Sequence, residues 1–167
     1  MYLPAKPSLI TFLLWAAVLI WMVLIFTLSA QQAPQSSTLS GETIRKVVAI
    51  TNPDFGKLPA VKQNSIVESY QYVARKAAHT LAYLVLGVLT MSALFRYRRR
   101  NGWRFGTALT VCVGYAGTDE IHQLFVAGRS GQISDVGIDA CGALLGISFV
   151  LWAHWLWGRK RRSKQSA

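Results

Sequence analysis

Residues 9–28 run for 20 positions without a charged side chain. A helix of that length rises about 30 Å, the thickness of a bilayer's hydrocarbon core. The segment is therefore read as a retained first membrane helix. A cleaved secretory leader is the competing reading, because Ser29-Ala30 follows the run. Leader cores are shorter, roughly 7–15 residues, which favours the retained helix. Three more apolar stretches follow at 77–95, 105–127 and 136–157. The expected fold is all-α: an integral membrane four-helix bundle forming a single domain over residues 1–167.

The long polar stretch 29–76 lies between the first two spans. Its part 31–40, rich in Gln, Ser and Thr and holding Pro34, reads as loop. Residues 43–50 suit a short helix, ended by the turn signal Asn52-Pro53-Asp54. Beyond Pro59, apolar groups at Val61, Ile66, Val67, Tyr70 and Val73 have helical spacing and lead into the second span. The connection is thus a partly helical loop.

Charge sets the orientation. The chain holds 18 Lys and Arg against 7 Asp and Glu. Five basic residues (Arg96, Arg98, Arg99, Arg100, Arg104) join spans two and three, and five more (Arg159, Lys160, Arg161, Arg162, Lys164) lie in the tail 158–167. Both groups fall on the side of Lys6. By the positive-inside rule they and both termini are cytoplasmic, in a multi-pass inner-membrane topology, while 29–76 and the Gly128-Arg129-Ser130-Gly131 turn face outward. The basic excess reads as topology and anionic-lipid contact, not nucleic-acid binding. Trp103, Trp152, Trp155 and Trp157 suit the cytoplasmic interface. Cys112 and Cys141 lie inside apolar segments, where they are expected to pack without a reactive role, and a disulfide-stapled secreted fold is excluded.

Four of the seven acids fall between positions 119 and 139. Counting rise along each span puts Asp119 and Asp139 at one level, in the half of the membrane away from the basic loop. His79 enters the second span at a similar depth, with Tyr83 one turn further in and Arg75 and Lys76 just outside. Asp119 with Gln123, Asp135 with Asp139, and His79 with Tyr83 are each four residues apart and share a helix face. Asp139, Gly142 and Gly146 form one stripe, whose small residues would let a neighbouring helix approach closely. Ionisable groups inside a span are costly and mark functional sites by default. The plainer alternative is an ion-pair network, with Asp119 or Asp139 held by Arg75 or Arg129, that only locks the bundle.

Trp21 to Gln32, Arg75-Lys76-x-x-His79 with Tyr83, Asp119-Glu120-x-His122-Gln123, and Arg129 followed by Asp135, Asp139, Gly142 and Gly146 are similar to motifs of VanZ-like membrane proteins. The resemblance spans the chain apart from 33–70 and the basic tail. It implies four membrane helices and a bacterial cell-envelope setting. It also implies a link to tolerance of teicoplanin, the lipid-tailed glycopeptide antibiotic for which the family's founding accessory protein is known.

Three chemistries suit these residues. Arg75, Lys76 and Arg129, with Tyr83 and Gln123, could recognise the anionic head group of a membrane lipid, a polyprenyl-linked precursor among the candidates. An enzyme could act on that phosphate, with His79 and His122 as acid and base oriented by Asp119 or Glu120. Arg129-x5-Asp135-x3-Asp139 has the spacing of a motif in the phosphatidic-acid phosphatase superfamily, with Asp135 where that family carries a nucleophilic His. A divalent metal held by some of His79, Asp119, Glu120, His122, Asp135 and Asp139 is a variant of either idea. Third, buried carboxylates and histidines also suit a proton-coupled lipid transporter, and a non-catalytic interaction protein belongs with this last class.

Overall fold

The computed structural model describes residues 8–30, 33–126 and 132–165. These form five α-helices and one short 3-10 turn: α1 (Leu9–Ser29), α2 (Ala33–Thr51), the turn Phe55–Lys57, α3 (Ala60–Leu94), α4 (Asn101–Gln123) and α5 (Ile133–Gln165). Among the described helices, α1, α3 and α5 are long and apolar enough to cross a membrane. The all-α class is borne out, and the described residues form five helices where four spans were expected. The stretch read as loop at 31–40 is helical from Ala33 onward, and the short helix expected at 43–50 is the end of α2. Pro34 is compatible with this start, because the first turn of a helix has no internal partner for its amides. α4 occupies the place of the expected third span, but Arg104 near its start and Asp119-Glu120 near its end break its apolar character.

α1 begins at Ser8, whose side chain accepts a hydrogen bond from the Thr11 amide. Val18, Ile25 and Ser29 are buried, while Leu9, Phe12, Leu19, Ile20 and Val23 are exposed on the outer surface, as suits a lipid-facing helix. The Trp21 indole donates to the Ala82 carbonyl at 2.9 Å, and the Tyr115 hydroxyl donates to the Met22 carbonyl at 2.5 Å. Removing that second bond with Tyr115→Phe is expected to cost about 1 kcal/mol. The melting temperature of the protein in detergent should fall by about 2–4 °C.

α3 is the central helix and touches each of the other four. Its 35 residues rise about 52 Å, well beyond one hydrocarbon thickness. The first part of α3 therefore projects from the bundle, as expected of a helix running unbroken into the second span. That part packs on α2 and the 3-10 turn through a small core of Val48, Phe55 and Val67. Arg45 on α2 donates to Gln63 and Asn64 on α3 and fixes the register.

α3 and α5 make the most extensive helix pair. A Cβ added at Gly142 would overlap the Thr80 carbonyl oxygen, one at Gly146 the Leu84 carbonyl oxygen, and one at Gly87 the Ala143 carbonyl oxygen. Backbone meets backbone here, as small residues allow in membrane helices. The stripe expected on α5 is confirmed, and Gly87 supplies its counterpart on α3. Of the two cysteines expected to pack inside, Cys112 is buried and Cys141 is exposed on the outer surface.

Candidate functional site

The glycine crossing fixes where the acids go. Asp139 lies one turn before Gly142, so its carboxylate is delivered against α3 beside His79, one position before Thr80. The end of α4 closes the third side and delivers Asp119 and Glu120. A pocket of about 140 Å³ opens between the three helices. Arg75, Lys76 and His79 line one wall, Glu120 and Gln123 the second, and Asp135 and Asp139 the third. The level reached by counting helical rise is the level at which these side chains meet.

His79 sits between two buried carboxylates. Its Nδ1 is 4.0 Å from Asp119 Oδ2 and 3.9 Å from Asp139 Oδ2. These are ion-pair distances, too long for direct hydrogen bonds. Asp119 and Asp139 are almost fully buried, at 1% and 2% exposure, while His79 reaches the pocket. A proton on His79 would offset one of the two carboxylate charges.

Asp119 is held from below. Its Oδ2 accepts from Ser29 Oγ at 3.1 Å and from Gln123 Nε2 at 3.3 Å. Gln123 Nε2 also donates to Ser29 Oγ at 2.9 Å, closing a triangle between the ends of α1 and α4. The remaining oxygens Asp119 Oδ1 and Asp139 Oδ1 are buried without a hydrogen bond among the described residues, as is the Tyr83 hydroxyl. Buried polar atoms are normally satisfied, and Thr90 Oγ1, Arg104 Nε and His122 Nε2 are further exceptions away from the pocket.

Nearer the mouth, Lys76 Nζ donates to Asp135 Oδ1 at 2.6 Å and stands 4.7 Å from the centre of the Tyr72 ring. Glu120 Oε2 accepts from the Gln132 amide at 2.8 Å, tying the end of α4 to the approach to α5. Arg75 lines the pocket and forms no ion pair with a described residue, so it does not lock Asp119 or Asp139. Both partners of the Lys76–Asp135 pair are partly exposed, at 23% and 26%, so Lys76→Met should lower the melting temperature only slightly. Melting curves at low and high salt check this, since added salt should shrink the difference between variant and parent.

His122 does not join the pocket. At about 100° per residue, Glu120 and His122 point to nearly opposite sides of α4. The His122 ring packs against Phe26 of α1 with centroids 4.2 Å apart. The expectation that His79 and His122 form an acid–base pair is corrected by this helical phase. Arg129 and its turn lie outside the described residues. Among those described, no group of three or more His, Cys, Asp or Glu side chains could hold a metal ion. The acids and His79 converge as neighbours, and not as a ligand cage.

Four contributors went unassigned in the sequence: Tyr72 and Ile138 line the pocket, and Ser29 and Gln132 bond to Asp119 and Glu120. Ser29, the base of the triangle, lies within the Trp21–Gln32 motif but carries no charge to announce it. Gln132 contributes through its backbone amide, which any residue could supply.

A family model described as VanZ/LLP1 matches residues 14–155 and so includes every side chain of the pocket. No curated protein matches the chain, and no solved structure does. The match covers most of the chain, and the protein belongs to the VanZ/LLP1 family.

Proposed function

We propose that this membrane protein binds the anionic head group of a phosphorylated lipid in the pocket between α3, α4 and α5. In this reading α4 is a fourth crossing, lined on its inner side by α3 and α5. Both termini face the cytoplasm of a bacterial cell, and the pocket opens to the outer leaflet. The observation that carries the proposal is Arg75 on the pocket wall, without a described carboxylate partner, beside Lys76 and His79. An Arg in that position can meet a phosphate with two parallel N–H donors. Polyprenyl-linked envelope precursors suit the location, and binding one would connect the pocket to glycopeptide tolerance. Protein in lipid nanodiscs, titrated with a polyprenyl monophosphate, should bind it at least ten times more tightly than the matching polyprenol. Arg75→Gln should remove that preference. Equal affinity for the phosphate and the alcohol would count against the reading.

A second reading, hydrolysis of the bound phosphate, is favoured by His79 between two buried carboxylates. That arrangement suits an imidazole used as general acid or base. Asp135, which shares the spacing of a lipid-phosphatase motif with Arg129 in the sequence, would then face the phosphate from α5. Release of inorganic phosphate from a polyprenyl pyrophosphate, lost in His79→Gln, is the discriminating assay. Binding without release leaves recognition as the function.

A further inference from the structure

The opposite end of the bundle holds a second cleft, of about 700 Å³, between the start of α4 and the end of α5. Asn101, His154, Trp155, Trp157, Arg159 and Arg161 line it. From Asp139 to Arg159 α5 rises about 30 Å, so the cleft and the acidic pocket are a membrane thickness apart. The chain has no Asp or Glu between residues 69 and 118 or after residue 139. Arg96, Arg98, Arg99, Arg100, Arg104, Arg159, Lys160, Arg161, Arg162 and Lys164 all belong to these acid-free segments. Of the basic residues that line the cleft, Arg159 and Arg161 form no ion pair with a described Asp or Glu.

We infer that this cleft binds the head group of an anionic glycerophospholipid from the leaflet that the basic loop and tail face. Charge complementarity identifies the occupant, and two further features favour a lipid over another polyanion. The guanidinium of Arg159 stands 4.8 Å from the centre of the Trp155 ring, and that of Arg161 stands 4.3 Å from that of Trp157. Stacking on the rings orients the planar guanidinium groups while leaving their edges as phosphate donors. Below Arg159, α5 exposes Leu145, Phe149, Trp152 and Leu156. Their spacing of four, three and four residues makes one apolar stripe, and Arg159 is its next member. From Leu145 to Arg159 the stripe rises about 21 Å, enough to accompany an acyl chain through one leaflet. A nucleic acid or an acidic peptide would use the arginines but leave the stripe without a role.

The test is native mass spectrometry of the purified protein in detergent, titrated separately with phosphatidylglycerol and phosphatidylcholine. Phosphatidylglycerol should be retained at least ten times more tightly, and Arg159→Gln with Arg161→Gln should abolish that preference. The charge-conserving pair Arg159→Lys and Arg161→Lys should retain a preference, weakened about threefold by loss of the planar stack. Arg75→Gln separates the two ends of the molecule. If it alone removes the bound phosphatidylglycerol, the lipid sits in the acidic pocket and the inference is wrong. Equal retention of both lipids, or displacement of phosphatidylglycerol by a short RNA at equal concentration, would also overturn it. Should the double Gln variant fail to fold, Trp155→Leu is expected to weaken the preference, and an unchanged preference there would contradict the proposal.

Discussion

Gly146→Leu is expected to unfold the bundle or to separate α3 from α5. Even a Cβ at this position overlaps the Leu84 carbonyl oxygen and presses on the Val88 amide. Those are backbone atoms of a helix interior, so no side-chain rotation relieves the contact. Overpacking in a core typically costs about 1–3 kcal/mol, and the four-carbon side chain of Leu against rigid backbone belongs at or beyond the top of that range. Gly142→Leu, which meets the Thr80 carbonyl oxygen, should behave alike. It should also displace Asp139 from His79, because the two acts of positioning share one crossing. Gly117→Leu is the control, since nothing lies within 4 Å of a Cβ added there. Thermal unfolding in detergent, followed by circular dichroism, should show a large fall for the first two variants and little for the third.

Asp119→Leu carries the second large effect. The substitution leaves Ser29 and Gln123 with only each other and removes one of the two carboxylates beside His79. Breaking a buried charged network by deleting one member costs about 3–5 kcal/mol, because the groups left behind remain dehydrated. Asp119→Asn should be far milder, since its amide oxygen still accepts from Ser29 and Gln123. The two variants therefore separate hydrogen bonding from charge. If the carboxylate matters only as an acceptor, Asn retains both stability and lipid binding. If its charge tunes His79, Asn retains stability but alters the pH profile of binding or turnover. Ser29→Ala combined with Asp119→Leu should cost much less than the sum of the two, as expected for members of one network.

The membrane character and the convergence of the acids were legible because both rest on periodicity. An uncharged run of 20 residues has few alternatives to a span, and rise per residue locates Asp119, Asp139 and His79 at one depth. α2 was not legible over 33–40, where Gln, Ser and Thr carry no apolar stripe. Helical hydrogen bonding continues there from a segment anchored farther on by Val48 against Phe55 and Val67. His122 illustrates a different limit. A compact motif such as Asp119-Glu120-x-His122-Gln123 invites one role for all its members, yet a helix distributes them around its circumference. Asp119 and Gln123 face one network, Glu120 the pocket and His122 the Phe26 ring. Gly87 was silent for a third reason: a single glycine in an apolar run has no pattern, and only the approach of Ala143 gives it meaning.

Photocrosslinking tests the central claim most directly. A polyprenyl phosphate carrying a diazirine beside its phosphate would be irradiated with the protein in nanodiscs, and the adducts mapped by peptide mass spectrometry. Adducts are expected on the pocket-lining segments 72–79 and 132–139, and they should disappear in Arg75→Gln. Adducts confined to α1 or to the basic cleft, or labelling of 72–79 unchanged in that variant, would contradict the assignment of the pocket to a phosphorylated head group.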